Sequence, residues 1–160
     1  MKNTVFNADE ILAIAEQIER NGARFYRKAA EGRVEADFRD LLVMLAEMED
    51  DHELVFAAMR KDSGQEQPWD PDLEAAGYLN AVADGFIFDV RLDPSEKLTG
   101  TETPEEILKT AIGLEKDSVL FYLGIKEAVP ENLGKEMIEK IIREEMGHVT
   151  ALTKGLAALP

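Results

Sequence analysis

The sequence predicts an all-α fold, a four-helix bundle with one long crossover between its second and third helices. Three observations carry this. Four long stretches place apolar residues at alternating steps of three and four, the mark of a helix with one buried face. Their connections are short, long and short, which suits two antiparallel hairpins joined by a crossover. The second hairpin repeats the first residue by residue at several key places.

The elements follow in order. Asn7 caps a first helix over 8–31, and Gly32 follows it. A second helix covers 35–60. KDSGQEQPWDPD (61–72) holds a glycine, two prolines and the only tryptophan, and reads as loop. LEAAGYLNAVADGF (73–86) reads as a short helix within the crossover, and LDPSEKLTGTETP (92–104) is loop again. Thr103-Pro104-Glu105-Glu106 is a helix start: a cap, a proline in the first turn and acids behind it. The third helix runs over 104–128. Pro130 breaks it, and a fourth helix covers 132–157. The hairpins are thus 8–60 and 104–157, and the crossover is 61–103. A helix of about 25 residues is roughly 37 Å long, and the crossover can span that distance. The 160 residues suit one domain.

Composition sets further bounds. The chain is 45% hydrophobic and 32% charged, as a soluble globular protein is. The formal charge of -15 repels nucleic acid and anionic lipid, so neither is expected as a partner. No run of about 18 apolar residues suggests a membrane span. The start lacks a basic head followed by an apolar stretch, so the cytoplasm is the expected compartment. There is no cysteine, which removes disulfides, thiol nucleophiles and cysteine-held metals together.

The repeat picks out the chemistry. Residues 10–31 lie over 106–127 at an offset of 96, the separation of Glu19 from Glu115. Glu10-Ile11-Leu12 then matches Glu106-Ile107-Leu108, Ala15 matches Ala111, and Phe25-Tyr26 matches Phe121-Tyr122. The same offset sets AEMEDDHELVF (46–56) over IREEMGHVTAL (142–152). Of the five acids around His52, four fall on Arg143, Met146, Gly147 and Val149. Only Glu49 on Glu145 and His52 on His148 survive. Glu49 is therefore the expected partner of His52, and Glu47, Asp50, Asp51 and Glu53 are expected to be solvated.

Helical facing agrees. The second helix carries the stripe Leu42, Leu45, Glu49, His52, Phe56, Met59, and the fourth carries Ile138, Ile141, Glu145, His148, Leu152, Gly155. The first gives Leu12, Ala15, Glu19, Gly22, Tyr26, Ala29, and the third gives Leu108, Ala111, Glu115, Ser118, Tyr122, Ile125. Each inner face has a glutamate near its middle, and two have a histidine one turn later. An unpaired ionised carboxylate in a core is severely unfavourable, and four at one level repel one another. Two divalent cations would balance them. Oxygen and imidazole donors in this ratio suit iron or manganese.

Plainer readings stand beside this one. A metal-free polar network that fixes helix register would use the same residues. Tyr26 and Tyr122 serve either as core residues hydrogen-bonded to carboxylates or as redox-active groups. Glu16 is either an extra ligand or the edge of its stripe, since its repeat counterpart is Ile112. Trp69 and Tyr78 are expected to cover the bundle side, and the six methionines to fill the core.

A glutamate seven residues before a tyrosine, then Glu-x-x-His about thirty residues on, occurs twice. This resembles the ferritin-like di-iron carboxylate proteins, and through ERNGARFY (19–26) and AEMEDDHELVF it is most similar to the rubrerythrin group. The resemblance implies a ferritin-like bundle with Glu19, Glu49, His52, Glu115, Glu145 and His148 as ligands and catalytic centre of a di-iron site. Manganese or a mixed pair is the alternative. Glu49 and Glu145 would bridge, with Tyr26 and Tyr122 behind the ligands. It further implies reduction of hydrogen peroxide or oxygen in oxidative-stress protection. Two departures stand out. The cysteine-held iron of full rubrerythrins has no residues here, so a separate electron donor, a rubredoxin-like protein or another reductase, is expected. Ser118 stands where rubrerythrins carry a further carboxylate, which leaves the symmetric six-ligand site that also serves ferritin- or bacterioferritin-type iron oxidation and storage. A homo-oligomer, most simply a dimer, is expected.

Overall fold

A computed structural model of the protein describes residues 7–63, 73–83, 89, 91–129 and 131–160. Five α-helices are present, α1 (Ala8–Ala30), α2 (Ala36–Ser63), α3 (Leu73–Ala83), α4 (Pro104–Ala128) and α5 (Lys135–Ala157), with no strand among the described residues. The two short hairpin links give antiparallel pairs, α1 with α2 and α4 with α5. No described helix is long and apolar enough to cross a membrane.

The helix starts follow local chemistry. Asn7 accepts from the Glu10 N–H at 2.9 Å while Glu10 accepts from the Asn7 N–H at 2.9 Å. Thr103 and Glu106 form the same reciprocal box at the start of α4, with Pro104 in its first turn. Each box satisfies two backbone donors that the helix itself leaves free. Gly32 follows α1 with φ of +71°, a left-handed turn that a side chain would resist.

Two boundaries differ by more than one residue from the sequence expectation. α2 runs on to Ser63. Of the expected crossover helix, 73–83 is helical and 84–86 lies outside the described residues. The last helix starts at Lys135, not 132. Residues 131–133 form a separate 3-10 turn, and Gly134, with φ of +101°, redirects the chain into α5. Propensity alone does not reveal that the three residues after Pro130 wind more tightly.

The crossover covers the bundle at two places. α3 lies on α4, and a 3-10 turn at Pro94–Lys97 lies on α1. Tyr78 donates to the Leu120 carbonyl at 2.6 Å beside Gly124, where any Cβ would fall 2.6 Å from the Tyr78 ring. Tyr78 thus covers the bundle side as expected, whereas Trp69 lies outside the described residues.

The core is split into two apolar clusters. One joins Ile11, Leu12 and Ala15 of α1 to Phe56, Phe121, Ile125, Ile138 and Ile141. The other joins Phe25 and Ala29 of α1 to Leu42, Leu45, Ile107, Leu108 and Leu152. Along every long helix the residues between the clusters are the polar ones of the stripes. A polar layer therefore crosses the bundle at mid-height, sealed by an apolar plug at each end. The outer face of the first hairpin carries Arg60–Asp9, Arg20–Glu53 and Arg27–Asp50 pairs. Such exposed pairs add little stability but match the faces of the two helices.

Candidate metal centre

The polar layer consists of Glu19 from α1, Glu49 and His52 from α2, Glu115 from α4, and Glu145 and His148 from α5. All six are at most 4% exposed. One donor atom from each of Glu19, Glu49, His52 and Glu145 lies within 4.8 Å of the others. The same holds for Glu49, Glu115, Glu145 and His148. Glu49 and Glu145 belong to both groups. Each group then has one histidine and one glutamate of its own, which is the composition that two ions sharing two carboxylates require.

Glu145 is the hinge of the arrangement. Its Oε1 lies 3.0 Å from His52 Nδ1 and its Oε2 lies 3.0 Å from His148 Nδ1. The imidazoles stack over each other with centroids 5.8 Å apart. Glu19 lies 3.4 Å from His52 Nδ1. Glu49 and Glu115 lie 3.4 Å and 3.5 Å from His148 Nδ1.

The tyrosines close the layer from both sides. Tyr26 donates to Glu115 and Tyr122 donates to Glu19. Each reaches the carboxylate of the opposite half rather than its own, because the C-terminal half of α1 packs against the N-terminal half of α4. Both rings are at most 1% exposed, and this is the hydrogen-bonded core role weighed for them above.

Several close contacts in the layer are not hydrogen bonds. Glu19 Oε2, Glu145 Oε2 and both ring nitrogens of His148 are buried without an aligned hydrogen bond. Buried polar groups are rarely left so. Oxygens and imidazole nitrogens that converge without such bonds are a fit for cations, and all the donors are hard or borderline ones.

No protein-family model matches the chain, and no curated protein matches it. A solved structure does: a Thermotoga maritima protein provisionally described as a ferritin-like diiron-carboxylate protein. It is 26% identical over 96% of each chain, with a TM-score of 0.75. This chain is a ferritin-like helical bundle.

In this ferritin-like bundle the electrostatics reflect crowding. Burial, helped by the Glu145 charge, raises Glu115 to about 8. Burial likewise raises Glu19, with Glu145 adding to it, and Glu49, with Glu19 adding to it. Burial also pushes Glu145 up, but the imidazoles of His148 and His52 against its two oxygens outweigh that and hold it well below the usual carboxylate range. Burial opposes charge on the histidines, yet their carboxylate partners raise His52 to about 9 and His148 to about 12. Without metal, two imidazolium ions stand in for cations around an ionised Glu145.

The remaining acids sort as the repeat suggests. Glu53 and Asp50 pair with Arg20 and Arg27 on the outside. Glu16 lies 3.4 Å from Arg60 and belongs to neither donor group, which makes it the edge of its stripe. Ser118 turns back on its helix and donates to the Leu114 carbonyl at 3.1 Å.

Two features escaped the sequence reading. Glu144 Oε2 lies 2.8 Å from His52 Nε2, across the α2–α5 interface. The repeat places Met48 at its counterpart, so matching halves discards it. Gly22, inside the α1 stripe, lies against Glu49: a Cβ there would meet Glu49 Cδ at 3.3 Å. A glycine at a mid-helix core position was the available signal.

Proposed function

We propose that the protein holds two metal ions in this layer and acts as a rubrerythrin-like non-haem oxidoreductase that reduces hydrogen peroxide. Glu19, Glu49, His52 and Glu145 hold one ion. Glu49, Glu115, Glu145 and His148 hold the other. The observation that carries the reading is the sharing of Glu49 and Glu145 between the two donor groups. Four carboxylates also match the charge of two divalent ions. The diiron-carboxylate description of the similar Thermotoga protein favours iron over manganese.

Two ferrous ions held by these residues would supply the two electrons that, with two protons, convert hydrogen peroxide into two waters. The protein's own contribution is positional. Tyr26 and Tyr122 hold Glu115 and Glu19 by their hydroxyls, so these carboxylates meet the ions in one orientation. The apolar plugs above and below the layer keep bulk water from its two ends. The reducing equivalents come from a separate donor, since the chain has no cysteine to hold a rubredoxin-type iron. We further propose that the protein works as a homodimer.

Ser118 favours a second reading. It is a small buried residue in the place of a further carboxylate, and its hydroxyl is engaged by the Leu114 carbonyl. The site is then the symmetric six-ligand kind, suited to iron oxidation of the ferritin type.

One experiment separates the two. Anaerobic protein loaded with ferrous iron is mixed in a stopped-flow instrument with hydrogen peroxide and, in parallel, with oxygen. The peroxidase reading expects fast oxidation by peroxide, slow oxidation by oxygen, and a limit of two irons per chain. Rapid oxygen consumption that continues well past two irons per chain overturns it in favour of iron oxidation and storage.

A further inference from the structure

The two halves of the site are related by the repeat, yet their surroundings are not. On one side a cavity of about 290 Å³ runs in between α1 and α4. Its walls include Gly22, Tyr26, Glu49, Glu115 and Ser118, with Asp117 beside them. It therefore touches Glu115, which belongs to the His148 donor group alone, and the shared Glu49, but neither Glu19 nor His52. The cavity exists because positions 22 and 118, one turn after Glu19 and Glu115, carry a glycine and a serine turned back on its own helix.

On the other side a smaller hollow of about 160 Å³ reaches His52 from behind but none of the four glutamates of the layer, and His52 is tied down there. Its Nδ1 faces Glu145 and Glu19, while its Nε2 meets Glu144 at 2.8 Å. Glu144 is itself placed by Lys140, 3.8 Å away and one turn back on α5. A carboxylate on the outer nitrogen fixes the tautomer that presents Nδ1 to an ion, and it makes the ring a stronger donor. His148 lacks this support: its Nε2 is buried with no hydrogen-bond partner among the described residues.

We propose that the two ion positions are inequivalent: the Glu19–His52 position is the anchored one, tightened by Glu144, and the Glu115–His148 position is the one an incoming small ligand reaches through the cavity. This rests on the reading of the layer as a two-ion centre. The ligand class is a small anion or a two- to three-atom oxidant, which enters past Ser118. Glu144 is a positioning residue, acting through His52.

Titration of metal-stripped full-length protein with cobalt(II), followed by visible absorption, tests this, with azide as the probe ligand. The wild type shows two resolved phases, and the azide-induced spectral change appears only with the second cobalt. Glu144→Met, which copies the repeat counterpart Met48, weakens the first phase roughly 10- to 100-fold. Glu144→Gln, which keeps an acceptor for His52 Nε2, restores most of it. Ser118→Leu, or Ser118→Val where leucine does not fold, weakens azide binding while both cobalt phases remain. Two cobalts that bind in a single phase unchanged by Glu144→Met overturn the inference, as does azide binding to the one-cobalt form. Binding of fewer than two cobalts overturns the two-ion reading beneath it.

Discussion

The Tyr26 hydroxyl on α1 donates to Glu115 on α4 and not to Glu19, two turns behind it on its own helix. Tyr122 does the converse with Glu19. The two hydroxyls thus lace the hairpins together through the residues that face the ions. A merely apolar core would hold the bundle closed but would leave each glutamate free to turn.

Tyr26→Phe removes a donor from a buried carboxylate and adds no volume. The metal-free protein is expected to lose about 1 kcal/mol of stability, the usual scale for one intramolecular hydrogen bond. Urea unfolding measures it. An unchanged midpoint would show that Glu115 finds another partner at no cost, and that the tyrosine is there for another reason.

Glu49→Ala removes one of the two carboxylates common to both donor groups. Metal content, read by elemental analysis after dialysis, is expected to fall below two ions per chain. The metal-free variant should unfold at the same or a higher temperature, because one buried carboxylate is gone from a crowded layer. Two tightly held ions in this variant would sink the ligand assignment.

The metal-free protein should lose stability as pH rises. Glu19, Glu49 and Glu115 have folded-state values above the unfolded 4.5, the last at about 8. The folded protein therefore holds more protons than the unfolded chain above about pH 4.5, so stability falls as pH climbs to about 8. The histidines act in the same sense. Their contribution is full below 6.5 and is lost as pH rises through about 9 for His52 and about 12 for His148. Glu145, held low, contributes above 4.5 and loses that only in acid. Thermal unfolding at about pH 6 and about pH 9 checks the slope. A more stable metal-free protein at the higher pH would contradict the burial of these groups.

Much of the site was legible because its physics is local and repeated. A glutamate in an apolar stripe declares itself, and the same glutamate in four stripes at one level declares a shared purpose. The plugs of Leu42, Leu45, Ile138 and Ile141 follow from the same period. What the sequence hid depends on the space between helices. Glu144 sits beside Glu145 on α5 and nothing in its spacing says that it, rather than Asp51 or Glu53, reaches a histidine. The crossing of Tyr26 to Glu115 needs the antiparallel pairing of α1 and α4. The cavity beside Ser118 is a missing volume, and a sequence lists only what is present. The start of α5 was misplaced by three residues because Gly134, not Pro130, makes the final turn.

Gly22→Ala tests whether that glycine is spent on the metal site. In a helix interior alanine is favoured over glycine by about 1 kcal/mol. Against this, the new Cβ would stand 3.3 Å from Glu49 Cδ and 3.4 Å from its Cγ, so the Glu49 side chain must shift by a few tenths of an ångström. Glu49 is 4% exposed and lies among three other carboxylates, so it moves at the expense of its aim toward both ion positions. The expected outcome is a metal-free protein at least as stable as the wild type, with both ions bound more weakly. Unfolding and cobalt titration on the same sample read the two effects apart. A variant with improved stability and unchanged affinity would mean that Gly22 has no part in placing Glu49.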